Sequence, residues 1–312
     1  MEKTRKCMIL LGMCLLFLIP AKNLSAKGKA VQKKEIRKVF IVEPTDKFIA
    51  CNRHGAIRVS YWNKNEVEIR IEIEAEAETG SKAKEFLDKI RIDFSQREAL
   101  FSAMTNVDDM SSYSSKEGKY TINYFILLPQ QMAASLSQKY GSISMPDENF
   151  GLYDLTVKYG KIEAGNFSQP LKIEAKYSSL FFGNLAKAEM EIGYCDQVVT
   201  GNIGIADIES KYSGISLNKV NHLTVDEKYG NLTIGELGEY LDLRSFSYGK
   251  LKVQSISPSF RRIEMNARYS DLKLRLPVSA AFRLSADNIK YGNCKISRSF
   301  QITDAEKNGD SY

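Results

Sequence analysis

The chain has 312 residues, 43% of them hydrophobic and 26% charged, with a formal net charge of +6. Such a composition supports a buried core. A charge this small excludes a general nucleic-acid binder, for which a strong basic excess supplies most of the affinity.

Residues 1–26 read as a secretory signal. Lys3, Arg5 and Lys6 form a basic start, Met8 to Pro20 is an apolar run, and the segment closes on the small residue Ala26. The run is shorter than the roughly 20 apolar residues of a spanning helix, although an uncleaved anchor is the competing reading. Cys14 lies inside that run after Met13, which does not make a lipoprotein site. Cleavage removes four basic residues and one acidic residue, lowering the formal charge from +6 to +3. Cys51, Cys195 and Cys294 remain, too far apart for a zinc site or a disulfide framework. They are expected as small buried side chains. No second long apolar segment is present, so the mature chain is expected to have no transmembrane segment.

Residues 27–37 are basic and polar and read as a flexible lead-in. Residues 38–135 read as a β-rich N-terminal region that starts and caps a run of repeats. Strands are expected at Val39–Val42, Ala56–Trp62, Glu66–Glu76, Arg91–Ser95 and Tyr120–Leu128, with Pro129 ending the last. Ser81 is expected to cap one short helix reaching Ile90, with Phe86, Leu87 and Ile90 facing inward.

From residue 136 to about 300 the chain repeats. Tyr140, Tyr159, Tyr177, Tyr194, Tyr212, Tyr229, Tyr248, Tyr269 and Tyr291 recur at spacings of 17 to 22 residues, each followed by a small residue, or by Cys195 after Tyr194. Aliphatic residues such as Ile162, Leu180, Ile215 and Leu232 sit three positions on. A second set, including Val199 and Leu217, sits five positions on. Only Gln197 breaks the pattern. This is alternation, hence strand. The phase places each tyrosine on the core face as the pin of a corner, with the small residue after it permitting the bend. Gly165-Asn166, Gly183-Asn184 and Gly201-Asn202 read as turns.

A unit of about 18 residues cannot bury its apolar face alone, whereas stacked units can, with strands about 4.8 Å apart. The expected fold is an all-β, right-handed parallel β-solenoid. A left-handed hexapeptide helix needs an aliphatic residue every six positions, and Ser168 and Glu174 break that rule when counted from Ile162. In "HGAIRV", Gly55, Ile57 and Val59 fit the rung pattern, which puts His54 in the tyrosine slot. Residues 301–312 read as a polar tail.

The tyrosine corner ladder reads as structural, with an exposed stripe for binding sugars as the alternative. Lys139, Lys158, Lys176, Lys211, Lys228, Arg268 and Lys290 precede the tyrosines, and Glu174, Glu191, Glu209 and Asp226 run beside them. These stripes read either as a mutually neutralised solvated face or as a groove for an anionic polysaccharide.

Three features carry a resemblance: "G-x-I-x-V" at Gly55, "YFILLP" followed by "SLSQKYGSISM", and the ladder of "YG" or "YS" before alternating aliphatics. The chain resembles the bacterial adhesin-like group of β-solenoid proteins, which includes the head-GIN-domain families of Bacteroides-type bacteria. The resemblance implies an envelope protein, exported to the periplasm or the cell surface.

The function expected is a non-enzymatic adhesin-like or envelope scaffold presenting a rigid repetitive β-surface. Its partner would be a glycan or an envelope or host surface protein. No catalytic residue, cofactor or metal is called for: no nucleophile motif, phosphate loop or ligand cluster appears, and the acids recur at every coil instead of gathering at one place. A polysaccharide-active β-helix lyase or hydrolase, and a periplasmic protein-binding or regulatory component, are the alternatives.

Overall fold

The computed structural model describes residues 29–108 and 118–283. The expected signal segment, Tyr291, Cys294 and the polar tail lie outside the described residues. In chain order the elements are β1 (Ala30–Ile41), β2 (Lys47–Trp62), β3 (Glu66–Ala77), α1 (Gly80–Asp88), β4 (Ile90–Arg97), β5 (Leu100–Val107), β6 (Gly118–Pro129) and β7 (Ala133–Ser144). Short strands come next: β8 (Glu148–Asn149), β9 (Tyr153–Lys158), β10 (Lys161–Ala164), β11 (Asn166–Phe167), β12 (Leu171–Lys176), β13 (Ser179–Phe182) and β14 (Leu185–Gly193). Last come β15 (Gln197–Lys211), β16 (Gly214–Lys228), β17 (Asn231–Ser247), β18 (Lys250–Ile256), β19 (Arg262–Arg268) and β20 (Asp271–Leu274).

From β7 onward the strands pair in parallel between successive coils, in about 8 turns of roughly 18 residues, the arrangement of a parallel β-solenoid. Three interior rows run along the stack. One is Leu155, Ile173, Met190, Ile208, Val225 and Leu243. Another is Ile57, Ile143, Ile162, Leu180, Val198, Ile215, Leu232 and Leu251. Phe167, Leu185, Ile203, Val220, Leu237 and Ile256 make the third. All are buried, and at roughly 1.5–3 kcal/mol per fully buried large apolar side chain they dominate the stability of the stack.

The turns are held by an asparagine ladder. Asn184 N–H donates to Asn166 Oδ1 at 2.7 Å, Asn202 N–H to Asn184 Oδ1 at 2.8 Å, and Asn218 Nδ2 to Asn202 Oδ1 at 2.9 Å. These asparagines do not adopt positive φ, so they serve the turns as hydrogen-bonding rungs.

The N-terminal end is closed by a second arrangement. β3 lies antiparallel between β1 and β6, and β6 pairs in parallel with the second half of β2. In β3, Arg70 and five glutamates alternate with Val67, Ile69, Ile71, Ile73, Ala75 and Ala77, all six of which are buried. Ala83, Phe86 and Leu87 of α1 bury against this sheet.

The structure corrects several expectations. Residues 30–37, read as part of a flexible lead-in, belong to strand β1. Their cations meet the glutamate face of β3, with Lys33 on Glu74 at 2.8 Å and Arg37 on Glu68 at 3.7 Å. The helix is capped by Thr79, whose hydroxyl accepts from Lys82 N–H at 3.2 Å, and Ser81 lies within it. Strand β5, which completes a hairpin with β4, is not foreseen by the alternation pattern. As the rung pattern at Gly55, Ile57 and Val59 predicts, β2 joins the stack, its residues Lys47–Arg58 pairing in parallel with Ala133–Ser144 of β7. A buried network stitches cap to coil, Asn52 Nδ2 donating to Ile122 O at 2.8 Å and to Gln138 Oε1 at 3.0 Å while Thr105 Oγ1 donates to Asn52 Oδ1 at 3.0 Å.

Candidate functional site

One feature runs the length of the described solenoid. His54, Tyr140, Tyr159, Tyr177, Tyr194, Tyr212, Tyr229, Tyr248 and Tyr269 stack ring on ring, with centroids 4.8–5.2 Å apart and planes within 20° of parallel. Tyr120 of β6 closes the N-terminal end edge-on against His54 at 4.9 Å. The expected ninth tyrosine of the ladder, Tyr291, lies outside the described residues.

These tyrosines do not face the core. From Tyr140 to Tyr248 they are 40–50% exposed, while Leu155, Val157 and Ile162 around Tyr159 are buried. The cause is the backbone of the tyrosine itself. All nine ladder residues have φ between 51° and 61°. The left-handed conformation turns the side chain outward, yet the amide stays in the sheet: Tyr159 N–H donates to Lys176 O at 3.0 Å, and Tyr194 N–H to Lys211 O at 2.9 Å. The change of phase therefore falls at the tyrosine, not at the small residue after it.

The small residue has a different task. A Cβ on Gly160 would lie 1.8 Å from Gly141 O, and one on Gly141 1.7 Å from Gly55 O. Backbones of successive coils touch there. Where serine replaces glycine, its hydroxyl joins the backbone: Ser178 Oγ accepts from Gly160 N–H at 3.1 Å and donates to Lys176 O at 2.8 Å. Ser213 repeats this between Cys195 N–H and Lys211 O.

A left-handed non-glycine residue costs roughly 1–2 kcal/mol. Burying half a tyrosine contributes about 2–3 kcal/mol, and each stacked pair about 0.5–1.5 kcal/mol more. Stacking and burial win, so a tyrosine is favoured at a corner where its geometry alone is not. Because neighbours cover both faces of each ring from Tyr140 to Tyr248, a sugar cannot stack flat on those rings. What the ladder offers to solvent is a row of ring edges and phenol hydroxyls.

The charged stripes are neutralised in part. Lys158 meets Glu174 at 2.9 Å and Lys176 meets Glu191 at 3.9 Å, each lysine pairing with the next coil's acid. Arg244 bridges Asp207 and Asp226, both at 2.8 Å. Glu174, Glu191, Glu209 and Asp226 occupy successive rungs in register. Lys139 and Lys228 lie over the rings of Tyr140 and Tyr229, at 4.9 and 5.2 Å. Among the described residues Arg53, Lys139, Lys211, Lys228 and Arg268 have no ion pair.

Two departures from the repeat resolve. Gln197 breaks the pattern because Asp196 is one extra residue, which shifts the register so that Val198 pairs with Leu180. Val199, expected in the core, is consequently turned out and 41% exposed. His222, expected in a turn, lies on β16 with its Nε2 3.6 Å from Glu239 and its ring edge-on to Tyr240. Glu227 is a residue that the sequence pattern alone did not single out. It points into the core, and neither carboxylate oxygen finds a hydrogen-bond partner. Burial pushes its pKa up to about 7, with the Ser210 side chain and Lys228 backbone pulling weakly the other way. Ser210 Oγ does not reach it in hydrogen-bonding geometry.

A shallow cavity of about 510 Å³ lies beside the first return turns, lined by residues including Pro44, Gln131, Phe150, Leu152 and Gln169. Its one carboxylate, Asp46, is occupied by the Glu43 N–H at 2.7 Å. Among the described residues no group of three or more His, Cys, Asp or Glu is placed to hold a metal ion, and no helix is long and apolar enough to cross a membrane. Cys195 is buried and Cys51 half-buried, and neither is in a disulfide.

No protein-family model matches the chain, and no curated protein matches it. Solved structures that it resembles include a "putative adhesin" from Bacteroides fragilis NCTC 9343, with a TM-score of 0.38 and 13% identity, covering 78% of this chain and 97% of that one. Another from Parabacteroides distasonis ATCC 8503 has a TM-score of 0.43 and 8% identity, covering 77% and 97%. A "putative cell adhesion protein" from Clostridium sporogenes ATCC 15579 has a TM-score of 0.23 and 10% identity, covering 78% and 100%. These names fall in the group that the sequence resembles.

Proposed function

We propose that the chain is a non-catalytic, adhesin-like scaffold, exported to the periplasm or the cell surface, that presents a rigid repetitive β-surface to an extended partner. The observation that supports this reading is the unbroken row of outward rings from His54 to Tyr269. Each coil accepts a strained backbone to hold an aromatic edge at the same corner, and strain of this kind concentrates at functional sites. A periodic row of donors and acceptors suits a partner that is itself extended and periodic. The acids on the neighbouring stripe keep to the repeat, and Glu174, Glu191 and Asp226 engage basic side chains, which suits a solvated supporting face.

The test is an array of glycans and of envelope and matrix proteins, probed with the purified chain and with a variant carrying Tyr159→Ser, Tyr194→Ser and Tyr229→Ser. The expected result is retention on an extended polymer that falls at least several-fold in the variant. Uniform absence of binding contradicts the reading.

A further inference from the structure

The cation stripe is not equivalent along its length. Arg53, Lys139, Lys158 and Lys176 occupy successive rungs, one position before the ladder residue of each coil. Lys158 and Lys176 have acids two positions to their side on the next coil. On the first rungs that acidic stripe is replaced by Cys51, Ser137 and Thr156, which bring no charge. Another carboxylate of this wall, Asp154, is already held by Lys47 at 2.7 Å and Ser135 Oγ at 2.8 Å. Arg53 and Lys139 thus stand side by side without an ion pair among the described residues. Arg53 Nε is buried and has no acceptor.

We propose that the Arg53–Lys139 end of the ladder is an anion site that takes the carboxylate or sulfate groups of an acidic polysaccharide lying along the ring edges. The proposal rests on the binding-scaffold reading and specifies its partner. Two adjacent like charges repel, and an anion between them removes that cost. Planar bidentate recognition of carboxylate or sulfate is what a guanidinium does well. Ser137, Thr156 and the hydroxyls of Tyr140 and Tyr159 lie alongside as neutral hydrogen-bonding groups for sugar hydroxyls. Further along, Glu174, Glu191, Glu209 and Asp226 line successive rungs and would repel an anion, which confines the anion contacts to the first rungs.

His54 reports on this site. Its ring lies between Tyr120 and Tyr140, and its pKa is held below the ordinary histidine value by burial first, then by Arg53 and Lys139. These are the charged groups that face it, from β2 and β7, with Tyr120 from β6. The chain has only one other histidine, His222, beside Glu239, which serves as an internal control.

The test is NMR titration of both imidazoles in the full chain, with chloride exchanged for sulfate at constant ionic strength, followed by retention on immobilised polygalacturonate and on heparin. Sulfate is expected to raise the His54 midpoint by offsetting the Arg53 and Lys139 charges. Lys139→Gln, an exposed change, and Arg53→Gln are each expected to abolish that rise and to weaken polymer retention at least tenfold. A His54 midpoint equal in chloride and sulfate overturns the site. A sulfate response without retention on either polymer overturns the polysaccharide assignment. Failure of the scaffold reading itself would show separately, as a blank array.

Discussion

The rings of Tyr159 and Tyr177 lie 4.9 Å apart and parallel, on backbones that both have positive φ. Stack and strain are therefore coupled at one residue, and substitutions can separate them. Tyr177→Ala loses two stacked faces and the half-buried ring while keeping a Cβ in the left-handed conformation. It is expected to destabilise by roughly 2–4 kcal/mol. Tyr177→Gly loses the same contacts but relieves the strain, so it should cost about 1 kcal/mol less than the alanine. Denaturant midpoints of the two variants measure the difference. An alanine variant as stable as the glycine one would show that the corner is not strained.

Gly160 and Gly193 differ sharply in their surroundings. An added Cβ meets Gly141 O at 1.8 Å in the first case and nothing closer than Lys176 Cγ at 3.7 Å in the second. Gly160→Ala is expected to cost about 3 kcal/mol or more, because two coils must part. Gly193→Ala should stay within about 1 kcal/mol of the parent. Equal thermal unfolding temperatures would contradict the contact between coils.

Glu227 makes stability depend on pH. Its folded pKa, about 7, is raised from 4.5, so the folded state holds the proton more tightly. Its contribution is fully present below about pH 4.5 and is lost as the pH rises through 7, amounting to roughly 3 kcal/mol. Urea unfolding across that window should show the loss in the parent and a flatter profile in Glu227→Gln. Parallel profiles would mean that Glu227 reaches solvent.

The repeat was legible because its interior obeys simple alternation. Ile162, Leu180 and Leu217 could be placed inward from sequence alone, and the structure buries all three. The direction of the tyrosines was not legible. Alternation assumes an extended backbone, and a left-handed aromatic residue inside a strand run leaves no mark in the sequence. Gln197 did mark its inserted neighbour, Asp196, although the consequence for Val199 required the register. Arg53 could have been found: placing His54 in the tyrosine slot puts Arg53 in the lysine slot. Glu227 was also within reach, since two positions before each tyrosine stand Val157, Ala175 and Ile192, all interior. The cap was less readable, because β1 is an edge strand whose cations look like a solvated segment until β3 supplies their partners.

The outward ladder is tested most directly by hydroxyl-radical footprinting of the intact chain, read residue by residue with mass spectrometry. Tyr159, Tyr177, Tyr194, Tyr212, Tyr229 and Tyr248 should be modified readily, and Tyr124 and Tyr153, which are fully buried, should be protected. Protection of the ladder tyrosines to the level of Tyr124 and Tyr153 would contradict the account.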